Sequence, residues 1–181
     1  MRWLNAGTGR RCEMETVEPE LFRRHTAYHE AGHVIAGLVF GYRFTVVTIR
    51  PAGYGEYEGA VYGSTRGRAR DLAVVQLAGV VASARMIGSD PWENPPPFDD
   101  DHADIATAGR FIDNWVGFLA RTYGESSCKE PLWDETGKRT RLLVDQNWDA
   151  IEVIAGALRE KETLSYDDVI RILKDRCPDF Q

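Results

Sequence analysis

Residues Thr26 to Gly41, TAYHEAGHVIAGLVFG, place two of the chain's four histidines four positions apart in a segment otherwise built like a core helix. On a helix, residues four apart share a face with Cβ atoms about 5–6 Å apart, so His29 and His33 can aim both imidazoles at one atom. Zinc accepts imidazole nitrogens at roughly 2.0–2.1 Å, which this spacing permits. Glu30 lies about 100° around the helix, near enough to hold a water on that ion without ligating the ion itself. HEAGH is thus an H-E-x-x-H arrangement. In that chemistry the metal polarises a carbonyl and acidifies a water whose proton the glutamate takes and passes on.

Two histidines and a water leave zinc one protein donor short, because catalytic sites usually hold three. A third histidine six residues after His33 would complete one known arrangement, but Val39 stands there. A glutamate on the following helix would complete another, and none lies between Glu58 and Glu93. The next helical carboxylates are in DDDHADIATAGRF, where Asp101, Asp104 and the nearby His102 remain candidates and where acidic residues ordinarily cap a helix start.

The 181 residues, 43% apolar and 28% charged, suit one domain with one core. A net charge of −6 points away from a nucleic-acid partner, since surfaces that neutralise phosphates are basic. Arg66, Arg68 and Arg70 read as a solvated helix start. Cys12, Cys128 and Cys177 are odd in number and lack a Cys-x-x-Cys pair, which predicts reduced thiols and a cytoplasmic protein. No signal-peptide core opens the chain and no run of about 18 apolar residues occurs, so a soluble protein without a membrane segment is expected. Residues 1–17 are expected to be a flexible N-terminal arm, with Met14 an alternative start, and residues 18–181 a single domain.

The remaining punctuation predicts a helix over 19–40 opened by Pro19 and stopped by Gly41, then strands 43–50 and 59–64 joined by a turn carrying Pro51, Gly53 and Gly55. The glycines at 53, 55 and 59 read as turn residues. The second strand reads either as an ordinary hairpin or as an open edge to which an extended peptide adds. A buried helix over 67–88 ends near Gly88, and the proline-rich SDPWENPPPFDDD forms a loop. A third helix runs from Asp99–Asp101 to about Tyr123, with those aspartates as caps. GESSCKEPLWDETGK reads as a polar connection before one long helix over 138–160. The last helix is capped by Ser165 and Asp168 and closes before Pro178. The predicted class is α+β, predominantly α-helical, with one small sheet.

AYHEAGHVIAGLVFG (27–41), VTIRPAG (47–53), QLAGVVASARMIG (76–88), ADIATAGR (103–110) and AIEVIAGALREKETLSYDDVIRIL (150–173) together resemble the peptidase domain of the FtsH-type ATP-dependent zinc metalloproteases. The resemblance spans about 24–174 and is densest at HEAGH. It implies a zincin-like H-E-x-x-H helix with a small β-sheet and a C-terminal helical bundle, making 18–181 a zinc metallopeptidase-like domain. It also implies Zn2+ as cofactor, Glu30 as general base, and His29, His33 and Asp104 as ligands, with Asp101 the second choice for the third.

Two departures accompany the likeness. Lys138 is the only lysine directly after a glycine, and Leu132 stands where a phosphate loop needs its earlier glycine, so the chain carries no ATP site. The acidic pair the family carries on its second helix is here Ser83 and Ala84, a change expected to alter the orientation of the metal's surroundings. The implied activity is a zinc-dependent metalloendopeptidase acting on peptides or unfolded protein segments, as a homo-oligomer or with a motor supplied by another chain. The alternative is a metal-stabilised, non-catalytic binding or regulatory module.

Overall fold

The computed structural model describes residues 19–53, 56–63, 67–93, 99–124 and 129–180. The expected N-terminal arm, Gly55, Arg66, Pro95–Pro97, Cys12 and Cys128 lie outside them. The elements run α1 (Pro19–Val39), β1 (Phe44–Gly53), β2 (Glu56–Gly63), α2 (Ala69–Ile87), α3 (Asp99–Tyr123), α4 (Lys129–Gln146), α5 (Trp148–Lys161), β3 (Thr163–Ser165) and α6 (Tyr166–Arg176). The fold is α+β and mainly helical, with one small antiparallel sheet in the order β2-β1-β3.

Small residues decide how α1 meets α2. A Cβ on Gly32 would stand 2.8 Å from the Ala78 carbonyl carbon and 2.9 Å from the Ala82 Cβ, so only a glycine lets the two backbones come this close. Around its circumference α1 also buries Ala27, Ala31, Ile35 and Ala36, and it packs on α5 and the sheet as well as on α2. Ile35, Ile49, Ile151, Ile154 and Leu158 are fully enclosed in one core between these elements. Burying each such side chain stabilises the fold by about 1.5–3 kcal/mol before entropy is counted.

The chain reverses after α1 because Gly41 adopts φ 72°, with the Gly41 N–H donating to the Leu38 carbonyl and the Tyr42 N–H to that of Gly37. Gly88, at φ 76°, closes α2 in the same way. Ser165 and Asp168 form the expected capping box of α6, each side chain meeting the other's backbone N–H.

The sheet corrects several expectations. Pro51 and Gly53 belong to β1, and Gly59 lies within β2 opposite Ile49 rather than in a turn. A third strand, β3, sets Leu164 opposite Val47, both fully buried, and among the described residues β2 is an outer strand of the sheet. Residues 129–137, read as a polar connection, are the first half of α4. Pro131 is tolerated there in the first turn. Thr136 and Thr140 are buried with their hydroxyls donating to the Leu132 and Thr136 carbonyls, which satisfies a polar face within its own helix.

The single helix expected over 138–160 is two. Asn147, at φ −116° and ψ 21°, interrupts it, and the Leu143 carbonyl receives both the backbone N–H and the Nδ2 of Asn147. Leu142 is 57% exposed while Leu143 beside it is buried. Trp148 of α5 stacks on Tyr28 of α1 with ring centroids 5.5 Å apart.

Candidate metal centre

The stripe Asp101, Asp104, Ala108, Ile112 runs down one face of α3, and the fully buried Ala108 and Ile112 seat that face on α2. This brings the start of α3 over the histidines of α1. His29 Nε2 and His33 Nε2 lie 3.0 Å apart, and Asp104 Oδ2 is 2.8 Å from each. Among the described residues these three form the cluster whose donor atoms can hold a metal ion.

The other ring nitrogens decide what faces the centre. His33 Nδ1 lies 2.8 Å from the Val75 carbonyl, which only accepts, so Nδ1 carries the proton. His29 Nδ1 lies 2.9 Å from Asp101 Oδ1 and donates to that carboxylate. In the neutral rings both Nε2 lone pairs therefore point at each other and at a carboxylate oxygen. Three acceptors in that arrangement repel unless a cation lies among them. A triangle with sides of 2.8 to 3.0 Å has points about 2 Å from every corner, the distance zinc requires. The donor set of two imidazoles and a carboxylate therefore fits zinc in chemistry and in size.

The protonation equilibria of the protein alone express the same demand. Burial opposes charge on His29, yet the hydrogen bonds to Asp101 and Asp104 outweigh it and raise the ring well above the ordinary 6.5. His33 is raised too, its burial outweighed by the charge and hydrogen bond of Asp104. Burial would push Asp104 up, but His33 and His29 hold it well below the usual carboxylate range. Asp101, despite burial, is lowered to about 2 by the hydrogen bonds of His25 and His29. A proton meets the centre's need for positive charge at low pH; a divalent cation meets it with both rings neutral.

Glu30 is 4% exposed and lies between α1 and β2, against the Cβ-less Gly59. His29, Glu30, His33 and Asp104 all line one cavity of about 340 Å3, with Phe44, Val61, Leu72 and Val75 among its walls. Residues 59–61 of β2, an outer strand among the described residues, border the same cavity. A cleft of that kind suits an extended peptide with an apolar side chain.

The structure separates the two candidate aspartates. Asp104 meets both Nε2 atoms. Asp101, expected as a cap or as the second choice for the metal, is wholly buried behind His29, accepting from His29 Nδ1 and from His25 Nε2 at 3.0 Å. His102 is exposed and outside the cluster. Ser83, where the acidic pair was missed, is buried with its hydroxyl 3.1 Å from the Val80 carbonyl and 3.3 Å from Asp101 Oδ1. Sequence reasoning passed over His25, Gly59 and Gly79. The four-residue step from His25 to His29 was the one available signal for the first, and the glycines gave none.

No family model matches the chain. Among curated proteins it is similar to the mitochondrial ATP-dependent zinc metalloprotease FTSH 10 of Arabidopsis thaliana, with 28% identity over 88% of this chain and 23% of that protein. It is 27% identical to the mitochondrial FTSH 3 of Oryza sativa subsp. japonica, over 88% of this chain and 23% of the relative. It is 29% identical to the ATP-dependent zinc metalloprotease FtsH 1 of Symbiobacterium thermophilum, over 84% of this chain and 29% of the relative. The chain spans about a quarter of the length of these relatives. The similarity is weak but extends over most of the chain, and it suggests a protease-related function. Among the described residues no helix is long and apolar enough to cross a membrane.

Proposed function

We propose that this chain is a zinc-dependent metalloendopeptidase that hydrolyses peptide bonds in peptides or unfolded protein segments, its residues 18–181 forming one metallopeptidase domain. The observation that carries the reading is the convergence of His29 Nε2, His33 Nε2 and Asp104 Oδ2 beside Glu30. His29, His33 and Asp104 would hold the ion. A bound zinc supplies Lewis acidity, which makes a water nucleophilic near neutral pH and polarises the scissile carbonyl.

The protein's own groups do the rest. Glu30 accepts the proton of the attacking water and delivers it to the departing amine. Its packing against Gly59 keeps the carboxylate beside the strand on which a substrate would lie. The outer edge of β2 offers backbone hydrogen bonds to an extended chain, which holds the scissile bond still, and the apolar walls take a side chain. Only chain that is already extended adds to such an edge. These 181 residues contain no phosphate loop, and peptides and unfolded segments, which need no prior unfolding, are the proposed substrates.

The alternative of a non-catalytic module drew its support from Ser83 and Ala84. The position of Asp101, a buried carboxylate behind His29, supplies a partner of the kind that a ligating imidazole uses, and Glu30 on the cavity shared with the three ligands favours the enzyme. The test is cleavage of an unfolded test protein by the zinc-loaded chain, with and without chelator, alongside Glu30→Gln. The expected result is chelator-sensitive cleavage in the parent and almost none in Glu30→Gln, which keeps its zinc. Absence of chelator-sensitive cleavage in the zinc-loaded parent overturns the reading.

A further inference from the structure

His25 lies outside the HEAGH motif, yet it is 2% exposed and one helical turn before His29, with ring centroids 6.0 Å apart. Its Nε2 is 3.0 Å from Asp101 Oδ2, while Asp101 Oδ1 is 2.9 Å from His29 Nδ1. The aspartate, with no solvent exposure, is thus gripped by two successive turns of α1, one imidazole to each oxygen. A buried carboxylate is costly unless its lone pairs are met, and Ser83 at 3.3 Å offers Oδ1 only a hydroxyl that the Val80 carbonyl also engages.

The two grips differ in consequence. A carboxylate held at one oxygen can still turn about its Cβ–Cγ bond, whereas one held at both cannot. The bond to Oδ2 therefore keeps Oδ1 aimed at His29 Nδ1. That aim places the His29 proton on Nδ1 and the lone pair on Nε2, facing His33 and Asp104. We propose that His25 is a positioning residue for the metal centre: it anchors Asp101, and through Asp101 it sets the tautomer and ring orientation of His29.

This rests on the metal reading given above. Partners behind a ligating imidazole typically contribute about 10–100-fold in metal affinity, and His25 acts one bond further back through such a partner. The test measures zinc affinity of the full chain by competition with a chromophoric chelator, and the visible spectrum of the cobalt(II)-loaded protein. The variants are His25→Ala, His25→Asn and His25→Gln. Glutamine carries its amide nitrogen near the place of Nε2 and can still donate to Oδ2; asparagine is too short.

The expected result is folded His25→Ala and His25→Asn proteins that bind zinc about 10-fold more weakly, with a cobalt spectrum altered even at saturation, and His25→Gln restoring most of both. Parent-like zinc affinity and cobalt spectrum in folded His25→Ala overturn the proposal. If His25→Ala does not fold, the comparison of asparagine with glutamine decides, and equal affinities for the two overturn it. A parent protein that binds no zinc refutes the metal reading itself; a parent that binds it while the variants match refutes only the role of His25.

Discussion

Gly59 in β2 lies so close to Glu30 in α1 that a Cβ at position 59 would stand 2.7 Å from the Glu30 Cδ and 2.8 Å from its Cγ. Glu30 is nearly fully enclosed, and the space beside it is the cavity it shares with His29, His33 and Asp104. Gly59→Ala must therefore displace either the carboxylate or the strand edge. Cleavage of an unfolded test protein should fall on the order of 100-fold, as expected for a misplacement of about 1 Å, while zinc content stays that of the parent. Parent-like turnover in this variant would contradict the placement of Glu30 as base.

Three further glycines separate site from scaffold. A Cβ at Gly79 would meet His33 Nε2 at 2.6 Å and His29 Nε2 at 3.0 Å, so Gly79→Ala should weaken zinc binding by at least about tenfold, read by chelator competition. A Cβ at Gly32 would instead strike the α2 backbone at Ala78, which cannot swing aside, so Gly32→Ala should cost about 1–3 kcal/mol of stability. Gly156 in α5 has open space there, and Gly156→Ala should raise stability by about 0.5–1 kcal/mol through helix propensity. Thermal unfolding should place Gly32→Ala below the parent and Gly156→Ala above it.

The pH dependence follows from the signs of the shifts. His29 and His33 are raised in the fold, so without metal their contribution to stability is present below the ordinary 6.5 and is lost as pH rises through their raised values. Asp101 is lowered from 3.8 to about 2, so its contribution is present above the ordinary value and is lost as pH falls toward 2. Zinc requires both Nε2 atoms unprotonated, so metal stabilisation should grow with rising pH where the metal-free protein weakens. Melting temperatures with excess zinc and with chelator, from about pH 5.5 to 8, should diverge steadily. A zinc increment independent of pH would show that the raised histidines are not at the binding site.

Much of the helical fold is readable because its boundaries are local chemistry. Pro19, Gly41, Gly88 and the Ser165–Asp168 box mark ends that depend on the chain within a few residues. The break between α4 and α5 has no glycine or proline to announce it; it depends on the Leu143 carbonyl taking both nitrogens of Asn147. The three-residue β3 exists because Leu164 fills a place beside Val47, a contact that no local pattern encodes.

The site divides the same way. That His29 and His33 share a helix face is readable from their spacing. That Asp104 reaches them is not, and only the resemblance at ADIATAGR pointed to it. The pairing of His25 with Asp101 joins residues 76 positions apart and was legible from neither.

The most direct test of the central claim is the zinc content of the purified chain and of its Asp104→Asn and Asp101→Asn variants, measured together with their helical circular dichroism. One zinc per chain in the parent, lost in folded Asp104→Asn and retained with reduced affinity in Asp101→Asn, is the predicted result. A parent without zinc, or an Asp104→Asn protein that binds it as tightly as the parent, would contradict the account.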